Sequence, residues 1–133
     1  MEKIRFYTRE HMWVELDNCK HWLFGISQYG SDRMQGVVNI DVKPGPEYVG
    51  QGEDFMWVES RKAVEILHMP FERGILLASN KEVEFNPSIL DDRAEETDIG
   101  VINAPEFKIE DAGRCGLMLP VEYRKYIESL EEA

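Results

Sequence analysis

The sequence predicts an all-β dominated fold, a sandwich or barrel, with one short internal helix and one C-terminal helix. Three observations predict it. Apolar runs of strand length recur along the chain, glycine, proline and Asp/Asn punctuate them, and helical spacing is confined to two segments. The 133 residues, 43% hydrophobic with three Trp, six Phe and five Tyr, suit a single domain over residues 1–133 with one core.

His11-Met12-Trp13-Val14-Glu15-Leu16 and His21-Trp22-Leu23-Phe24-Gly25-Ile26 flank the polar loop Asp17-Asn18-Cys19-Lys20, a pattern for two antiparallel strands. Ser27 can then cap a helix running to about Met34, because its hydroxyl can accept an orphan amide hydrogen, and Gly36 offers a left-handed stop. From Val37 the alternation predicts Val38, Ile40 and Val42 on one face and Asn39 and Asp41 on the other, until Lys43-Pro44-Gly45-Pro46 ends the strand. Phe55–Val58 and Val64–Leu67 are strand-like, which puts Ser60, Arg61, Lys62 and Ala63 at a hairpin tip. Another strand covers Gly74–Ala78, a polar stretch runs from Asn80 to Asp98, and a short strand lies near Ile99–Asn103. Pro120 suits a first helical position, and Tyr123, Tyr126, Ile127 and Leu130 then form a stripe at helical spacing that should pack on the sheets.

Charge and composition narrow the function. With 26 acidic against 15 basic residues and a net charge of −11, attraction to nucleic acid or to anionic membrane surfaces is disfavoured, and basic or polar partner surfaces are expected. The chain offers no run of about 18 apolar residues, and no signal-like run follows Glu2, Lys3 and Arg5, so a cytoplasmic protein is expected, a monomer that visits larger enzymes. Cys19 and Cys115 are far apart and read as free thiols. No nucleophile elbow, P-loop, dinucleotide fingerprint or zinc-protease helix is present, and Cys19, His21 and His68 make a weak metal set. Should the chain catalyse alone, the candidates would be Glu10, His11 and His68. Trp13, Trp22 and Trp57 read as core or sheet-face fillers, and Met12 and Met34 as candidate lining for an apolar resting place.

The stretch Val58-Glu59-Ser60-Arg61-Lys62-Ala63 is the informative one. Of seven lysines most are solubilising surface charge, but a carrier needs an amine held away from the body by rigid strands, and a tight hairpin provides that. E-S-x-K-A also resembles the lipoylation motif of the glycine cleavage H-protein family, and its surroundings resemble that family in order. Tyr7-Thr8-Arg9-Glu10-His11-Met12-Trp13-Val14 is similar to its Y-T-x-E-H-E-W-V, and Phe24-Gly25-Ile26-Ser27-Gln28-Tyr29 to its V-G-I-T-x-Y/H turn into a helix. Gly36-Val37-Val38, Pro44-Gly45, Gly50 to Gly52, Met69-Pro70 with Gly74, and Asn80, Glu82 and Asn86-Pro87 extend the likeness over about residues 6 to 90.

The resemblance implies a barrel-sandwich hybrid of two antiparallel sheets and a non-catalytic carrier with lipoate in amide linkage on Lys62. Glu59 would help the lipoylating enzyme choose that lysine. Implied partners are a lipoate ligase or a lipoyl/octanoyl transferase, then glycine decarboxylase, aminomethyltransferase and dihydrolipoyl dehydrogenase. The chain departs from the family where the acid of H-E-W is Met12 and the acid closing K-A-x-S-D is Ile66; Glu65 stands one residue away, which alternation turns to the other face. The helix histidine expected near Arg33 is absent, and P-Y-x-x-G-W-L is reduced to Glu96-Thr97-Asp98-Ile99-Gly100-Val101. In the glycine pathway such acids face a cationic aminomethyl group, so their loss suggests a carrier for another lipoate-dependent route, such as sulfur-compound oxidation or a redox-linked modification system. An unmodified interaction module is the contrasting expectation.

Overall fold

A computed structural model describes residues 3–132. Nine strands form two antiparallel sheets. The larger has the order β1 (Arg5–Tyr7), β2 (Met12–Leu16), β3 (Trp22–Ile26), β9 (Gly100–Asn103), β8 (Arg73–Ser79), β5 (Glu47–Gly50), and the smaller the order β4 (Val37–Val42), β6 (Asp54–Ser60), β7 (Val64–His68). Helix α1 (Gln28–Met34) links β3 to β4, and the longest helix, α4 (Pro120–Glu132), ends the chain.

The two sheets meet across an apolar core. Val14, Phe24, Ile26, Leu76 and Ile102 of the larger sheet pack in one cluster with Ile40, Val42, Met56, Val58 and Leu67 of the smaller. The outer face of the larger sheet carries a second cluster, in which Tyr123 of α4 lies against Tyr7 and Trp13. The stripe Tyr123, Tyr126 and Ile127 thus packs on the sheet as its spacing predicts.

Several local expectations are refined. Ser27 does cap α1, accepting the Gly30 amide hydrogen at 3.1 Å, but the left-handed stop begins at Gln35 (φ 55°) and continues through Gly36 (φ 106°). The alternation of β4 breaks at a bulge between Val37 and Asn39, so Val37 is buried and Val38 is 48% exposed. A bulge places an extra residue in one strand and thereby switches the face of what precedes it. Strands β1 and β5 lie outside the predicted pattern. The polar stretch after Asn80 folds as α2 (Lys81–Phe85) and α3 (Leu90–Arg93), each joined to a 3-10 turn, and these cover α1 and β4 through Val83, Leu90 and Ala94.

Gly25 in β3 is glycine for packing. A Cβ there would sit 2.5 Å from the Trp13 ring and 2.8 Å from the Thr97 carbonyl oxygen. Gly25→Ala should therefore lower stability by about 1–3 kcal/mol, as overpacking does, read as a fall in the urea midpoint at unchanged slope.

Candidate functional site

Strands β6 and β7 pair down to Glu59 and Val64, leaving Ser60 to Ala63 as the tip. The Ser60 hydroxyl organises that tip. Its oxygen accepts the amide hydrogens of Lys62 and Ala63, both at 3.2 Å, and it donates to the Ala63 carbonyl at 3.1 Å, while the Ser60 amide donates to the same carbonyl at 2.9 Å. A serine side chain that satisfies backbone groups two and three residues on stabilises a turn without help from a helix or sheet. The Arg61 amide donates to the Gly36 carbonyl at 3.3 Å, tying the tip to the loop after α1. Lys62 is exposed in this frame, and Glu59, paired with Asn39 and Val64, is exposed on β6.

Beside Lys62 opens a cleft of about 580 Å³ between β7, α1 and the turn before β2. Met34, Ile66 and Leu67 give it an apolar side, and Arg9, Glu10, Arg33 and Glu65 bring charge of both signs. The pairing of β7 with β6 is regular at Glu65 and Ile66, so the two alternate as expected, and both border the cleft. Val64, Glu65 and Ile66 are all exposed at this end of the ribbon. Met34 lines the cleft as expected, whereas Met12 is fully buried in the core and does not. Glu10 and His68, sequence candidates with no assigned geometry, come together: the Glu10 carboxylate accepts from the His68 amide at 3.0 Å and hydrogen-bonds its Nδ1, and His68 Nε2 lies 3.0 Å from Asp54. This fastens the end of β7 to the turn before β2. Among the described residues no three His, Cys, Asp or Glu side chains are arranged to hold a metal ion.

His11 forms another part of the cleft wall. Its Nδ1 is 2.8 Å from the Tyr123 hydroxyl, which lies 2.6 Å from Ser27 Oγ, so a residue of α4 joins the cleft to the cap of α1. The sequence marks Tyr123 as apolar stripe; only the fold shows its hydroxyl to be part of the site. Burial, with the Arg33 charge second, pushes the His11 pKa down from 6.5 to about 4, and burial pushes the Tyr123 phenol up. Between these two His11 values the unfolded chain binds more protons than the folded one, so His11 contributes stability above pH 6.5 that is lost as pH falls toward 4. The urea midpoint of the wild type should drop more steeply across that window than that of His11→Gln, and equal slopes would contradict a neutral, half-buried imidazole.

Comparison with known proteins accords with this geometry. The profile of the glycine cleavage H-protein family matches residues 5–129. The glycine cleavage system H protein of Methylobacillus flagellatus is 34% identical over 119 residues, covering 89% of this chain and 90% of that protein. That of Aliivibrio salmonicida is 30% identical over 132 residues, 99% of each. The crystal structure of a glycine cleavage system H protein from Mycobacterium marinum superposes with a TM-score of 0.78 over 96% of this chain and 99% of that one, at 19% identity, a likeness of fold. The two antiparallel sheets are accordingly those of the barrel-sandwich arrangement that the resemblance implies. With a profile match through nearly the whole chain and relatives covered almost end to end, the protein belongs to the glycine cleavage H-protein family, a family of lipoyl carriers and not of enzymes.

Proposed function

We propose that Lys62 carries lipoate in amide linkage and that the resulting arm shuttles intermediates among the enzymes of glycine cleavage. The observation that carries this reading is an exposed lysine on a serine-braced hairpin tip, at the border of a cleft with an apolar side and charge of both signs. Loading forms a bond between Lys62 Nζ and the acyl carbon of an activated lipoyl group; the activating group leaves and the nitrogen gives up its positive charge. Either a lipoate ligase or a lipoyl/octanoyl transferase satisfies this chemistry, with Glu59 as a charged mark on the strand leading to the lysine. Attached there, the dithiolane would supply a disulfide that two electrons and two protons, delivered by a partner reaction, convert to two thiols. Burial of its apolar ring against Met34, Ile66 and Leu67 favours a resting place in the cleft.

Glu10 and Glu65 support the glycine route over another lipoate-dependent pathway. They put carboxylates at the cleft although Met12 and Ile66 stand where the family has acids. Glu10 shares its oxygens with His68, Glu65 has no such partner to displace among the described residues, and a cationic cargo needs such groups when it leaves water. Glycine decarboxylase, aminomethyltransferase and dihydrolipoyl dehydrogenase are the partners this reading requires.

Intact mass after co-expression with a lipoate ligase and lipoate should rise by one lipoyl group, and Lys62→Arg should abolish the rise. An unmodified Lys62 under conditions that load a control H protein would sink the carrier reading in favour of an interaction module. Ser60→Ala removes the hydroxyl's bonds at the tip and leaves the Ser60 amide to Ala63 carbonyl bond, so it should cost about 1 kcal/mol in stability and slow loading, with Lys62 still the modified residue by peptide mapping.

A further inference from the structure

The His11 backbone is left-handed (φ 68°), an uncommon conformation for a residue with a Cβ. It is held on both sides: its amide donates to the Thr8 carbonyl at 3.0 Å, and its carbonyl accepts from the Ser27 amide at 2.8 Å. Helix α1 approaches it through Gly30, where a Cβ would come within 2.8 Å of the His11 Cβ. The rings of Tyr29 and Tyr126 lie 4.9 and 6.1 Å from the imidazole, centroid to centroid. Backbone strain kept in place by so many contacts occurs preferentially where a side chain must be aimed.

The hydrogen-bond partners favour one of the two neutral tautomers of His11. His11 Nε2 lies 3.5 Å from Arg33 Nη1, and a guanidinium only donates, so Nε2 presents a lone pair. Nδ1 then bears the hydrogen and donates to the Tyr123 oxygen, and the Tyr123 hydroxyl donates to Ser27 Oγ, which also accepts the Gly30 amide hydrogen. The sequence of donors ends on the cap of α1. The Arg33 contact is long and belongs to an exposed side chain, so a closer donor inside the cleft can replace it.

We propose that His11 is the cleft residue that accepts a hydrogen bond from the S–H or N–H group at the end of the arm, with Tyr123 as the positioning residue that holds it in the accepting form. This rests on the carrier reading of Lys62. An oxidised dithiolane has neither group, so the contact distinguishes a reduced or loaded arm from an oxidised one. Burial serves the same end: with a pKa of about 4 the ring is neutral at pH 7 and stays an acceptor beside a cationic cargo.

Histidine side-chain nitrogen NMR tests this on four samples of the full chain: Lys62→Arg, the oxidised lipoyl protein, the same protein reduced with a water-soluble phosphine, and the reduced protein treated with formaldehyde and ammonium, which condense with one thiol and release water. Intact mass verifies each state. The His11 Nε2 resonance should lie at the unprotonated position in the first two samples and move to lower frequency in the third, the fourth or both; movement in the third identifies the thiol as donor, and movement in the fourth alone identifies the amine. In Tyr123→Phe, which retains the ring stacked on Tyr7, the two nitrogen resonances should converge as the tautomers mix. A protonated Nε2 in the first sample, or a position unchanged in all four, overturns the proposal; wild-type spectra decide this even if Tyr123→Phe is unstable. Absence of the lipoyl increment would overturn the carrier reading and this inference together, whereas an increment with an unmoved Nε2 overturns the inference alone.

Discussion

A two-stranded hairpin such as β6–β7 is barely stable in water by itself, and the sheet of β4, β6 and β7 depends on the face it buries. Ile40 and Val42 from β4, Met56 and Val58 from β6 and Leu67 from β7 are removed from solvent against the larger sheet, each such side chain contributing roughly 1.5–3 kcal/mol. The burial ends where the hairpin leaves the core. Val58 is fully buried and Ser60 nearly so, while every residue from Arg61 to Ile66 is exposed. A rigid base and a free tip are therefore two consequences of one sheet-on-sheet contact. The tip needs its own internal bonds because no partner strand extends beyond Val37 to hold it.

Where the larger sheet turns its other face outward, polar groups do the equivalent work. Glu95 accepts from Arg5 and from the Tyr7 hydroxyl, and its second oxygen accepts the Gln28 amide hydrogen at 2.7 Å in the first turn of α1. Ser27 takes another of those first-turn hydrogens, and Tyr123, stacked on Tyr7 with ring centroids 4.3 Å apart, takes hold of Ser27. A carboxylate at a helix start is favourable both as an acceptor and as a charge. The orientation of α1, and with it one wall of the cleft, is thus fixed by residues more than sixty positions downstream.

Much of this was legible in the chain. The hairpin of β2 and β3, the cap at Ser27, the tip at Lys62 and the start of α4 at Pro120 each follow from local chemistry, because a turn, a cap and an amphipathic stripe are specified by residues a few positions apart. What escaped depends on distant partners. The bulge at Val38 obeys the pairing of β4 with β6 and not the alternation of β4 itself. Strands β1 and β5 are three and four residues long and exist through their neighbours in the larger sheet. In the site, E-S-x-K-A marked Lys62 and Glu59, yet the bracing by Ser60, the presence of Glu65 in the cleft and the reach of Tyr123 to His11 required coordinates. Met12 lies in the core and Ile66 at the cleft, and that Glu10 and Glu65 also border this cleft could not be read from the spacing of the chain.

Gly30 shows how such a site resists improvement. By helix propensity alone, glycine inside α1 is worse than alanine by about 1 kcal/mol, and an optimiser scoring the helix in isolation would replace it first. The missing methyl is nevertheless what sets the gap between the helix and the wall it leans on, since an added carbon would press on the Cβ of His11 at 2.8 Å and on Ile26 at 3.2 Å. The spacing of the cleft is in that sense written as an omission: a gauge block whose thickness is a hydrogen atom, invisible to any measure that rewards each residue for what it adds.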